Sequence, residues 1–164
     1  MIEGYRAFFA ASAGASAAFI GLLFVALSFI DSGNVDEKVK SWRRILANSS
    51  FSQLINIFFV SLLGLLPDPH NFALVGAIMA LLGIVVSVRL LPQTMDREKT
   101  GRNTPTRIGI LAVGAYVLEL ICCIGLLHNP QSQTMFNYLI LSIIILYAGA
   151  LARAWEITGI KRSD

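Results

Sequence analysis

Long stretches without charged residues alternate with short charged segments along the chain. The uncharged stretches cover residues 7–30, 45–66, 72–88 and 128–152, and residues 108–127 carry one charge, at Glu119. A helix needs about 20 apolar residues to cross the hydrocarbon core of a bilayer. Five segments meet or approach this length, so the pattern predicts an all-α polytopic membrane protein. We expect a bundle of about five transmembrane helices that forms a single domain over residues 1–164.

Capping signals refine the ends of these helices. Asp68 before Pro69 and Asn129 before Pro130 are typical of helix starts, because proline is favoured at the first helical position. Asn34 followed by Glu37 resembles a capping box. The predicted helices therefore cover residues 7–30, 35–66, 69–91, 105–127 and 130–158.

Composition agrees with a membrane protein. Hydrophobic residues make up 55% of the chain and charged residues 14%, whereas soluble domains carry about 25% charged residues. The first apolar stretch differs from a signal peptide, since its small residues (10–18) open the stretch instead of following it as a cleavage site. We therefore expect a retained helix.

The basic residues indicate an orientation. Of the 13 lysine and arginine residues, all except Arg6 fall in the first connection, the third connection or the C-terminal end. With an odd number of helices these three regions share one side of the membrane, which the positive-inside rule makes cytoplasmic. The sequence predicts an N-terminus outside and a C-terminus in the cytoplasm.

Small residues recur at helical spacing in the first and third helices. The first carries Ala10, Gly14, Ala17, Gly21 and Ser28, and the third carries Gly76, Ala80, Gly83 and Ser87. Such faces let helix backbones approach closely in lipid. They predict packing within the chain, association between subunits, or both on different faces. The larger side chains of Phe19, Leu23 and Leu82 are expected to face lipid.

The second helix has a polar face in its cytoplasmic half, formed by Ser49, Ser52, Gln53 and Asn56. Unpaired amides in hydrocarbon are costly, so this face must meet other helices or water. It indicates either hydrogen bonds between helices or the lining of an aqueous vestibule or ion path.

Glu119 is the acid predicted to lie near the middle of the bilayer, because it falls well inside the fourth helix. A charged carboxylate at that depth is costly, and such residues are candidate functional sites. We expect Glu119 to be protonated or paired with a cation. Asn56, Ser16 and Ser142 are predicted at similar depth. Glu119 either forms a hydrogen bond that locks two helices together, or it binds a proton or a cation.

Four residues near the predicted cytoplasmic boundary have the chemistry of lipid-headgroup anchors: Arg89, Arg153, Trp42 and Trp155. The histidines, His70 and His128, supply too few ligands for a zinc site. Cys122 and Cys123 lack a C-x-x-C arrangement and are expected to pack as apolar residues. No catalytic or nucleotide-binding motif occurs in the sequence. We therefore expect that the protein is not an enzyme and that it binds no metal, no cofactor and no nucleic acid.

The segments FFAASAGASAAFIGLLFVALS (residues 8–28) and ARAWEITG (residues 152–159) resemble the opening and closing stretches of small bacterial inner-membrane proteins. Some of those proteins are labelled modulators of the FtsH membrane protease. The resemblance implies a bacterial inner-membrane protein and transfers no functional residue.

Two functions follow from these patterns. The polar face of the second helix and the acid of the fourth favour an oligomeric ion channel or ion-conducting protein. The small-residue faces favour a non-catalytic regulator or accessory subunit of a larger membrane complex. The expected partners are membrane lipids and either further copies of this chain or another membrane protein.

Overall fold

The computed structural model describes residues 3–30, 37–98 and 104–159, all of which belong to five helices and two short turns. The helices are α1 (Glu3–Ile30), α2 (Glu37–Leu63), α3 (Pro69–Glu98), α4 (Thr104–His128) and α5 (Gln133–Gly159). Each is long and apolar enough to cross a membrane. The all-α fold and the five spans are confirmed. The predicted start of the second helix at residue 35, and Asn34 of its capping box, lie outside the described residues.

The turn before α3 follows the predicted capping, but the turn before α5 does not. Asp68 Oδ1 accepts the backbone N–H of His70 at 2.9 Å, which caps α3 at Pro69. In the other turn, Asn129 Oδ1 accepts the N–H of Gln131 at 3.3 Å, so Pro130 lies inside the turn. Ser132 takes the capping position, and α5 begins at Gln133, three residues later than predicted.

Three other helix bounds also differ from the predicted ones by more than one residue. α1 begins at Glu3, four residues before the predicted start at residue 7. α2 ends at Leu63, where Gly64 enters a turn against the ring of Phe9. α3 continues through Pro92 to Glu98, whereas the predicted helix ends at residue 91. Proline removes one helical hydrogen bond. Pro92 is exposed at the end of the apolar span, where water can satisfy the freed carbonyl.

α2, α3, α4 and α5 form a closed ring, and α1 lies outside it. α2 packs on α3, α3 on α4, α4 on α5, and α5 on α2, whereas α1 packs mainly on α2. α2 and α4 thus face each other across the interior. We call the end with residues 64–68 and 129–132 the turn end, and the end with Arg43, Arg107 and Arg153 the basic end.

The interior is apolar and aromatic toward the turn end. Phe9, Phe72 and Phe136 are fully or almost fully buried there, and the rings of Phe72 and Phe136 stack with centroids 6.0 Å apart. A second apolar cluster lies between α1, α2 and α5 and includes Leu23, Leu54 and Ala150. The centre of the ring, by contrast, holds polar side chains.

Candidate functional site

The carboxyl group of Glu119 meets the amide of Asn56 in the middle of the bundle. Asn56 Nδ2 donates to Glu119 Oε1 at 3.1 Å and to Oε2 at 2.9 Å. Glu119 is 0% exposed and Asn56 is 2% exposed. Because α2 and α4 lie on opposite sides of the ring, this pair bridges the interior between them.

The other two side chains predicted at this depth do not join the pair. Ser16 Oγ donates to the backbone carbonyl of Ser12 at 2.8 Å, within α1. Ser142 Oγ donates to the carbonyl of Leu139 at 2.7 Å, within α5. Both hydroxyls are satisfied by their own helices, as serine often is inside apolar helices. Among the described residues, Asn56 therefore supplies the side-chain hydrogen bonds to the Glu119 carboxyl.

The Glu119–Asn56 pair can bind and release a proton. Among the described residues, no lysine or arginine contacts the Glu119 carboxyl, and no cluster of three acidic, histidine or cysteine side chains forms a metal site. An ionised carboxylate accepts hydrogen bonds from the amide NH2 group, and a protonated carboxyl donates to the amide oxygen once the amide rotates. The same two side chains can thus hold both protonation states with their hydrogen bonds kept.

Tyr116 and Ser52 lie one turn closer to the basic end. The hydroxyl of Tyr116 lies near the Ser52 side chain and within electrostatic range of Glu119 and Arg153. It forms no hydrogen bond of good geometry within the part of the chain that the structure describes. A buried hydroxyl without a partner is rare, and it can form a hydrogen bond to a water or pass a proton at this level.

Gln53 departs from the predicted polar face and points to α5. A Cβ atom at Gly149 would lie 3.3 Å from Gln53 Oε1, so the amide rests against the backbone of α5. Neither amide atom has a hydrogen-bond partner among the described residues. Ser49 is half-buried. Of the four predicted residues, the structure thus brings Asn56 and Ser52 to the Glu119 site and separates Gln53 from it.

Arg153 does not reach the lipid headgroups, which corrects the sequence prediction. Its side chain is 5% exposed and lies in the bundle, where Nη2 would be 3.7 Å from a Cβ atom at Gly109 of α4. Arg153 shares the buried face of α5 with Leu146 and Ala150, at spacings of four and three residues. Helix periodicity therefore directs it inward. Its Nη1 atom has no hydrogen-bond partner among the described residues.

The other predicted headgroup anchors have different environments. Arg89 is exposed, Trp155 is 79% exposed, and Trp42 is half-buried against the cluster between α1, α2 and α5. Arg89 and Trp155 are thus accessible to lipid, and their role as anchors stays a prediction.

The two small-residue faces behave differently. On α3, a Cβ atom at Gly76 would lie 2.9 Å from Cys123 Sγ, and one at Gly83 would lie 2.6 Å from Tyr116 ring carbons. Ala80 between them is 0% exposed. This face of α3 is therefore the close contact with α4.

The α1 face, by contrast, points away from the bundle. Gly14, Ala17 and Gly21 are exposed, and a Cβ atom at either glycine would have no atom of the described residues within 4 Å. α1 instead buries Ser12, Ser16 and Leu23 against its neighbours. The expected lipid exposure of Leu23 is wrong, because Leu23 is 6% exposed and Gly14 lies on the outer side.

Several buried polar residues were missed in the sequence. Tyr116 was not predicted, although it lies three residues before Glu119 and hence on the same helix face. Ser61 Oγ donates to Ser12 Oγ at 2.8 Å, and Tyr147 donates to the Ser12 carbonyl at 2.6 Å. The hydrogen bonds of Ser12 with Ser61 and Tyr147 thus link α1 to α2 and α5.

Polar side chains thus lie between the basic end and the centre of the bundle, from Arg153 through Tyr116 to Glu119, whereas Gln53 lies apart from them against α5. Beyond Glu119, the aromatic cluster closes the interior toward the turn end. The arrangement can hold a proton at the centre of the bundle, and Tyr116 and Ser52 lie next to it on the side of the basic end. No protein-family model, no curated protein and no solved structure matches this chain.

Proposed function

We propose that this protein is a small ion-conducting membrane protein that carries protons, with Glu119 as the site at which they bind. The observation that supports this function is the fully buried Glu119 carboxyl, held by one neutral amide inside the polar centre of the bundle. An acid without a cationic partner at this depth is costly to keep, which favours a functional role over a structural one.

The interior is polar toward the basic end and aromatic toward the turn end, which supports a proton path in two parts. Protons reach Glu119 from the basic end along the polar side chains, and their transfer to the turn end requires the aromatic cluster of Phe9, Phe72 and Phe136 to move. Conduction is therefore expected to be slow compared with an open water-filled pore.

A flux assay tests this function. The purified protein is reconstituted in vesicles that hold a pH-sensitive dye, and a potassium gradient with valinomycin sets the membrane potential. We expect proton entry above that of protein-free vesicles, with no matching sodium flux. A rate equal to that of protein-free vesicles would refute the proposal.

The second candidate function is that of a non-catalytic regulator or accessory subunit of a larger membrane complex, in contact with another copy of this chain or with another membrane protein. It rests on the exposed small-residue face of α1 with Gly14, Ala17 and Gly21, where a Cβ atom at either glycine would have none of the described residues within 4 Å. In lipid, such a face allows another helix to approach closely. The two functions are compatible, because α1 lies outside the ring that holds Glu119.

We expect Gly14→Leu to weaken association at least about tenfold, because the added side chain separates the two helix backbones. Gly114→Leu is the matched control, since Gly114 is exposed on α4 and an added Cβ there would also have none of the described residues within 4 Å. Subunit number is counted by single-molecule photobleaching in lipid discs. Equal association of both variants would exclude the α1 face as the contact.

We further propose that the chain lies in a bacterial inner membrane with its N-terminus outside and its C-terminus in the cytoplasm. In a protein with Cys122 and Cys123 changed to alanine, single cysteines at Asn71 and Gln131 should react with an impermeant thiol reagent added to intact cells. A cysteine at Arg107 should react only after the cells are opened. The reverse pattern would invert the orientation.

A further inference from the structure

A groove of about 610 Å³ lies on the side of the bundle between α2 and α3, with Phe24 of α1 at its edge. Its lining belongs to the membrane-spanning parts of these helices. Leu82 in its wall is 54% exposed, so the groove is open to the surroundings of the bundle. Sites for small molecules have volumes of about 300–1,000 Å³. The groove has this size and faces the bilayer.

The groove is apolar except along one line of α2. Its walls are formed by Phe24, Phe51, Ile55, Met79, Leu82 and Val86. Its polar residues are Asn48, Ser52 and Asn56, spaced four residues apart and hence on one face of the helix. Among the described residues, no ionisable side chain lines the groove.

The polar line of Asn48, Ser52 and Asn56 includes a buried polar atom without a hydrogen-bond partner among the described residues. Asn56 is 2% exposed and donates to Glu119, but its amide oxygen has no hydrogen-bond partner among the described residues. Asn48 is exposed although it lies within the span of α2. Unpaired amides are costly in hydrocarbon. The groove therefore favours an occupant that brings uncharged polar atoms into an apolar cleft.

We propose that this groove binds a neutral amphiphile of the bilayer, a long apolar chain with an uncharged hydroxyl or carbonyl head. The head hydrogen-bonds to Asn48 and Ser52, and the chain packs against Phe51, Leu82 and Val86. The lining itself supplies no cation to a phosphate, so its polar line favours an uncharged head. The site does not require proton conduction, since occupancy depends on the groove alone.

Photolabelling tests the proposal. The reconstituted protein is illuminated with a long-chain alcohol that carries a diazirine, and the labelled peptides are identified by mass spectrometry. Label is expected at Phe51 and Met79. Leu82→Trp should fill the groove and lower this labelling at least tenfold. Leu81→Trp is the matched control, because Leu81 is also 54% exposed but does not line the groove.

A second variant and two further probes test the chemistry of the head. Asn48→Leu should remove the preference for the alcohol over a diazirine alkane of equal length. Equal labelling of the wild-type protein by the alcohol and the alkane would mean contact with ordinary lipid chains and would overturn the proposal. Stronger labelling by a diazirine phospholipid would also overturn it. Circular dichroism and thermal unfolding confirm that each variant is folded.

Discussion

Replacement of Gly83 by leucine is expected to separate α3 from α4 and to cause the largest loss of stability among the glycine variants of the transmembrane helices. A Cβ atom at this position would lie 2.6 Å from two carbons of the Tyr116 ring, and Tyr116 is itself 0% exposed. Overpacking of a close-packed core costs about 1–3 kcal/mol. The rigid tyrosine ring cannot turn aside without displacing its neighbours. We therefore expect a cost at the upper end of this range, measured by thermal unfolding in detergent.

Gly14→Leu is the internal control for this prediction. Gly14 lies on an outer face where an added Cβ has none of the structurally described residues within 4 Å. The folded monomer should thus lose less than about 0.5 kcal/mol, as surface substitutions do. Equal destabilisation by both substitutions would contradict the assignment of the α3 face to α4 and of the α1 face to the exterior.

Replacement of Glu119 by leucine is expected to destabilise the bundle by about 1–3 kcal/mol, the cost of leaving a buried amide unpaired. The reason is that Asn56 loses both of its acceptors. Glu119→Gln should stay close to the wild type, because its amide can both accept from and donate to Asn56. Unfolding of each purified variant in the same detergent measures the difference.

The double variant Asn56→Leu with Glu119→Leu completes the comparison. Replacing both partners by apolar groups removes the unpaired amide, so it should be more stable than Glu119→Leu alone. If Glu119→Leu already matches the wild type, the pair makes no contribution to stability and the bridge between α2 and α4 is not a structural bond.

The sequence predicted the helices well because the bilayer leaves few alternatives. Backbone groups in hydrocarbon must pair within the segment, so a long uncharged apolar stretch is a helix. Helix ends were less predictable, since they lie near water where several caps compete. Asn129 and Ser132 are both good capping residues. The structure uses Ser132, and Asn129 instead forms the preceding turn.

Which face of a helix lies inside was harder to predict. In lipid, an apolar side chain gains little from burial, so leucine and glycine fit both environments. Leu23 of α1 was therefore expected to face lipid but is buried, whereas the outward small-residue face agrees with one of the two alternatives left open. Buried polar residues are the better signal, because Ser12 and Ser16 of α1 lie inside at 5% and 0% exposure. The same signal placed Asn56 and Glu119 correctly at the interior.

Arg153 shows the limit of reasoning from depth alone. Its position near the end of α5 suggested contact with lipid phosphates, but the face of the helix decides its environment. Arg153 continues the buried series of Ile143, Leu146 and Ala150. Position along a helix and position around it must therefore be considered together.

Proton flux through the Glu119→Gln variant tests the central proposal most directly. The variant keeps the shape and hydrogen bonds of the pair but cannot bind and release a proton. We expect its flux in vesicles to fall at least about tenfold, toward that of protein-free vesicles. Asp68→Asn is the control, because it removes an exposed acid and retains a good capping residue for α3. It should conduct like the wild type. A folded Glu119→Gln protein that conducts protons at the wild-type rate would contradict the account.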